Sequence, residues 1–181
     1  MFFFISKLND AEIIPYTLIQ CPNCRQFGNL NRHDFLKGFG PAKQSTKAIR
    51  GKRLYCSNRG NKRGCGRTFA LLLLNQIYNS MVNTLLVSMF LAAFLGQCLL
   101  SKAGVWKQLG FTPDPEWAYR ILKRWEHSLP HIREKLSSVH PPPNEGTGPL
   151  HQTWLHLISV FERGDPIAQF QLKFQTSIFS N

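Results

Sequence analysis

Two pairs of cysteines constrain this chain more than any other feature. Cys21-Pro22-Asn23-Cys24 keeps two residues between its thiols, and Cys56 and Cys65 come next with eight between them. Two such pairs, taken in order, fill the four corners of a tetrahedral ion and leave no position open, which marks a structural metal site. Residues 17–20 read as a strand entering the first knuckle, 28–39 as strand and turn, 40–46 as a loop, and 48–56 as a strand entering the second knuckle. Strand, knuckle, hairpin, knuckle is the order of a zinc ribbon, placed here over residues 17–70. Cys21, Cys24, Cys56 and Cys65 are the expected ligands and Zn2+ the expected ion. Its binding energy would be folding energy for so small a unit.

Ribbons usually keep two residues in each knuckle, so the eight of the second need a reason. The insert is rich in Gly and Asn, and it can loop out while the thiols converge. Gly66 permits a left-handed turn and Phe69 can pack beneath the metal. Four unrelated thiols are the plain alternative. A redox reading of Cys21 and Cys24 wants a strand–helix context, and Arg25, Gly28 and Asn29 come after them instead. The fifth cysteine, Cys98, falls in an apolar run and reads as a small buried hydrophobe. Residues 1–5 are too short and uncharged for a secretion signal, so a reducing cytoplasm is the expected compartment.

Charge points to a partner. The chain carries a formal net charge of +12, and between Gln20 and Ala70 twelve bases face a single acid, Asp34. Such a field attracts a polyanion. The expected nucleic-acid contacts in this region are Arg50, Lys52, Arg53, Arg59, Lys62, Arg63 and Arg67. DNA is the expected partner. RNA is an alternative, because basic loops with Phe and Tyr can stack on unpaired bases.

No charged residue occurs from Ala70 to Ser101. Residues 81–100 are long enough to cross a bilayer, which makes a single-span membrane protein with a cytosolic ribbon the second reading. Against it, Gln76, Asn79, Ser80, Asn83 and Thr84 recur at helical spacing as a polar stripe, and both flanks are basic. A central buried helix is the first reading. Residues 101–110 form a short helix capped by Ser101 and stopped by Gly110. Asp114 and Pro115 then open a helix over 116–126, with Ala118, Ile121, Leu122 and Trp125 on its apolar face. Trp117, Arg120, Lys123 and Arg124 point away from that face as further nucleic-acid contacts. Pro130 is expected to break the helical run, leaving one more helix over 131–138. The whole stretch 71–139 reads as a helical, helix-turn-helix-like domain.

Residues 1–16 are read as a tail, 140–149 as a Pro/Gly linker, and 150–181 as two amphipathic helices folding back on the core. The expected fold class is α+β: a small β zinc ribbon followed by a mostly helical domain. The ten acids sit on helix starts, exposed faces and linkers, with no phosphate loop, HExxH or triad among them, so no catalytic residue is expected.

The residues Cys21-Pro-Asn-Cys24, Leu54-Tyr-Cys56 and Gly64-Cys-Gly-Arg-Thr-Phe69, followed by helices, resemble the N-terminal zinc-ribbon and helix-turn-helix region of bacterial insertion-sequence transposases. Small proteins encoded beside transposase or recombinase genes look similar. The resemblance covers roughly 17–128 and implies zinc at Cys21, Cys24, Cys56 and Cys65, element-end DNA as ligand, and a transposase or integrase as partner. The long second knuckle departs from that pattern. A strand-rich catalytic core with paired acids finds no room in the sequence, which makes the chain an accessory or regulator.

Overall fold

In the computed structural model, residues 2–5, 16, 19–38, 47–77, 80, 82–96, 100–110 and 114–179 are described. They form an α+β fold, with a sheet on the N-terminal side followed by five helices. The strands are β1 (Phe2–Ile5), β2 (Leu30–Gly38), β3 (Ala48–Cys56) and β4 (Thr68–Leu73), in spatial order β1-β4-β3-β2. β2, β3 and β4 are antiparallel, whereas β1 joins β4 in parallel, with Phe4 opposite Leu72.

Two expectations change here. The start of the chain is an edge strand of the sheet rather than a tail. β4 takes the first residues of the uncharged span: Leu71 and Leu72, on opposite sides of the strand by alternation, are both buried there. Positions 17 and 18, expected in a strand, lie outside the described residues, as does the 40–46 loop. Ile19 and Gln20 are not in a strand.

Two irregularities shape the β2–β3 hairpin. Arg32 pairs with Leu54 and Asp34 with Arg53, leaving His33 as the extra residue on β2. Leu36 pairs with Gly51 and Lys37 with Ile49, leaving Arg50 as the extra residue on β3. A bulge of this kind re-aims the side chains around it. Gly51 lies against β4 so closely that a Cβ there would meet the Leu71 carbonyl at 2.2 Å.

The helices are α1 (Thr84–Gly96), α2 (Lys102–Gln108), α3 (Glu116–Ser137), α4 (Pro149–Val160) and α5 (Pro166–Phe174). α1 has 13 residues, about 20 Å at 1.5 Å per residue, well short of the ~30 Å apolar core of a bilayer. Among the described residues no helix is long and apolar enough to cross a membrane; positions 81 and 97–99 of the expected span lie outside them. Of the expected polar stripe, Thr84 belongs to this helix, as its buried first residue. Gln76 and Asn83 form an isolated antiparallel bridge, and the Asn83 side chain accepts the Leu86 N–H at 2.8 Å, so these residues start the helix instead. Cys98 and Asn79 lie outside the described residues.

Ser101 caps α2 as expected, accepting the Gly104 N–H at 3.1 Å. Pro130 does not interrupt: α3 runs unbroken through it for 22 residues. The cause is packing. Ala118, Ile121, Leu122, Trp125, Ser128, Ile132 and Leu136 form one buried stripe along the whole helix, and this holds the turn that a proline would break in isolation. Trp125 meets Trp154 of α4 edge-on at 6.2 Å, and Phe90 of α1 meets Trp106 of α2 at 5.4 Å. α4 and α5 fold back onto this core. Gln171 of α5, fully buried, donates to the carbonyls of Leu74 and Gln76 at 3.1 and 3.0 Å. Gln175, just beyond α5, accepts the Phe4 N–H at 2.9 Å. The C-terminal segment thereby ties the sheet to the bundle.

Candidate metal centre and basic surface

The four knuckle sulfurs come together. All lie within 4.8 Å of one another, with Cys21 to Cys65 and Cys24 to Cys56 each at 3.7 Å. A tetrahedral ion with bonds of about 2.3 Å to sulfur needs sulfurs about 3.8 Å apart. The cluster therefore has the donor set and size to hold one metal ion. Cys21 and Cys56 are buried, and Leu30, Leu54 and Phe69 pack beside them.

Each knuckle is closed by its own backbone. In the first, the Arg25 N–H donates to the Cys21 carbonyl at 2.8 Å and the Cys21 N–H to the Gln26 carbonyl at 2.9 Å. Arg25 takes the left-handed turn at φ 59°, a conformation that ordinarily favours glycine. In the second, the Gly64 N–H donates to the Ser57 carbonyl at 2.8 Å, so residues 58–63 leave the knuckle as a closed excursion. The sulfur cluster is faced by Cys56-Ser57 and Gly64-Cys65, a two-residue spacing assembled in space. Gly64 is required there: a Cβ would lie 2.2 Å from the Ser57 carbonyl and 2.6 Å from the Cys56 sulfur. The Cys65 N–H points at the Cys56 sulfur at 3.4 Å, and Gly66, at φ 70°, turns the chain into β4.

The sulfurs are unequal without a cation. Burial pushes the Cys56 thiol up to about 12. The hydrogen bond from Asn23 Nδ2 to the Cys65 sulfur, at 3.3 Å, leads in bringing that thiol down to about 6. Four thiolates at these separations repel one another, and a divalent ion is what lets all of them ionise together. Asn23 is in turn held by Arg67, whose guanidinium donates to its Oδ1 at 3.0 Å. Asn23 was not legible as a functional residue. Its only signal is its place inside the first knuckle.

The basic residues divide. Arg53, Arg59, Arg63 and Arg67 are exposed around the hairpin and second knuckle, and Lys62 is half-buried with its ammonium on Asn31 Oδ1 at 2.9 Å. Lys52 is corrected: at 2 % exposed it shares the inner side of β3 with Leu54 and Cys56, so it offers nothing to a ligand in solvent. Arg50 is corrected too. Its Nε donates to Gln76 Oε1 at 2.6 Å and its Nη1 to the Ser80 carbonyl, and burial lowers its pKa. It fastens the sheet to the segment leading into α1.

On α3 the expected contacts are also of mixed use. Lys123 is exposed. Arg120 is exposed and pairs with Glu116 at 3.2 Å. Trp117 is half-buried against the core, and Arg124 lies with its guanidinium 4.5 Å from the Phe179 ring centroid. Glu116, Glu126 and Glu134 are interspersed along the exposed part of this helix, so its field is weaker than that of the ribbon.

Comparison with protein-family models, with curated proteins and with solved structures finds no match for this chain.

Proposed function

We propose that the chain is a zinc-dependent DNA-binding protein that acts without catalysis, as an accessory or regulator of a mobile element's transposase or recombinase. The observation that carries the reading is the juxtaposition of a closed four-sulfur cluster with exposed Arg53, Arg59, Arg63 and Arg67 on the same small unit. Four sulfurs with no open position suit zinc as a structural ion. The arginines lie on the segments that the ion would hold, so binding of a polyanion would depend on the metal. The mobile-element role rests on the resemblance of the cysteine pattern and the helices after it to the ends-binding region of insertion-sequence transposases. The scattered acids, from Asp34 on β2 to Asp165 at the start of α5, support a role in binding.

The test is metal content followed by a salt series. The purified chain should hold one zinc per molecule. Its affinity for duplex DNA should fall steeply with salt, and chelation of the metal should abolish binding. A salt-independent affinity, or binding that survives metal removal, overturns the reading.

A further inference from the structure

Beside the metal centre, the outer side of the β2–β3 hairpin carries an aromatic ring among cations. Tyr55 stands in register between Asn31 of β2 and Thr68 of β4, and strand alternation gives it the same side as Arg53. The bulge gathers His33 there as well, its ring centroid 6.4 Å from that of Tyr55 and tilted by 52°. The Tyr55 hydroxyl donates to Asn58 Oδ1 at 2.9 Å, which fixes the ring. Lys62 reaches the same side through its bond to Asn31. Asn31, His33, Arg53 and Thr68 are exposed, and Tyr55 is half-exposed. The acid in this register is Asp34, opposite Arg53, and its Oδ1 accepts the Phe35 N–H at 2.7 Å.

Cations alone suffice for the backbone of a duplex, whose bases are stacked away from a flat protein face. A fixed aromatic ring flanked by a guanidinium and an ammonium suits a different ligand. An unpaired base offers a π-face to the ring, and its flanking phosphates are left for the cations. We infer that this side of the hairpin is a stacking platform for an unpaired nucleotide, with Tyr55 taking the base and Arg53 and Lys62 the phosphates. The inference rests on the nucleic-acid reading above and narrows it to a partner containing single-stranded nucleotides.

The experiment measures anisotropy of oligothymidylate, oligouridylate and a duplex of equal length with the zinc-loaded full chain. Tyr55→Ala and Tyr55→Leu should each lower single-strand affinity roughly five- to a hundredfold, with Tyr55→Phe near wild type. Duplex affinity and the salt slope should be unchanged by all three. Metal content and circular dichroism of each variant report whether the ribbon is intact, and Tyr55→Leu keeps the apolar bulk should Tyr55→Ala fail to fold. Wild-type single-strand affinity with Tyr55→Leu overturns the platform, and so does an equal loss on duplex and single strand. If those results accompany weakening by Arg59→Gln and Arg63→Gln, the charged surface stands without the platform. No binding by the wild-type chain to any of the three overturns both. The thymidylate and uridylate arms separate a DNA from an RNA source of the same chemistry.

Discussion

The Asn23 side-chain amide donates to the Cys65 sulfur at 3.3 Å, from a residue of the first knuckle to a cysteine of the second. A hydrogen bond to sulfur favours the thiolate and fixes its orientation, as outer partners of metal ligands generally do. Asn23→Ala should weaken metal affinity by about 10- to 100-fold while keeping one metal per chain at saturation. Competition with a chromogenic chelator measures this. An unchanged affinity would show that the bond has no part in holding the ion.

The second knuckle closes through Gly64 and Ser57, so the loop between them is separable from the metal site. Removal of residues 58–63 should leave a metal-binding chain. It also removes Arg59, Lys62 and Arg63, and the slope of log K against log salt on duplex DNA should fall by about two to three. Gly64→Ala should do the reverse damage, with metal affinity and thermal stability lost because the backbone must move away from the Ser57 carbonyl. Metal titration of both variants distinguishes the two effects.

Arg50 and Arg63 carry the same charge and different duties. Arg50→Gln strands the Gln76 and Ser80 acceptors and should cost about 1–3 kcal/mol of stability, with the salt slope of DNA binding nearly unchanged. Arg63→Gln should leave stability within about 0.5 kcal/mol and lower the slope by about 0.9. Chemical denaturation and a salt series on the two variants decide the matter. Equal slopes lowered by both would place Arg50 in the interface after all.

Pro130 lies exposed inside α3, where it removes one backbone hydrogen bond and crowds the preceding turn. Pro130→Ala should therefore stabilise the chain, by up to about 3 kcal/mol, and raise the melting temperature. A fall in melting temperature would mean that the helix is bent at this point to fit its neighbours.

His156 is buried in α4 with its Nε2–H donated to the His140 carbonyl at 2.8 Å. Burial lowers its pKa, against the opposing pull of that carbonyl, and the nearby His140 and Arg133 lower it further. The folded chain thus resists protonation that the unfolded chain accepts near pH 6.5. Its contribution is complete above that pH and is lost as pH falls toward the folded pKa. His156→Gln should flatten the change in stability between pH 7.5 and about 5 relative to the parent. Denaturation midpoints across that window measure the difference between the two chains, and parallel curves would remove His156 as the cause.

Local chemistry could be read along the chain. Cysteine spacing located the four sulfurs, because a closed thiolate site is written in the order and number of its ligands. The apolar spacing of Ala118, Ile121, Leu122 and Trp125 located the buried face of α3, because that face comes from helical period alone. The alternation of β3 was present as well, yet which side of it faces inward was not, so Lys52 and Arg53 looked alike. Tertiary structure decided the features that depend on distant partners. Parallel pairing put residues 2–5 beside β4, far away in sequence, and packing along its whole length carried α3 through Pro130. The Ser57–Gly64 bond turned an eight-residue gap into a two-residue knuckle. Gln171 and Gln175 bound the far end of the chain to carbonyls and an amide at the sheet and the segment after it. No local pattern encodes such pairings, since each is chosen only when the backbone groups left over by one segment meet a buried polar side chain from another.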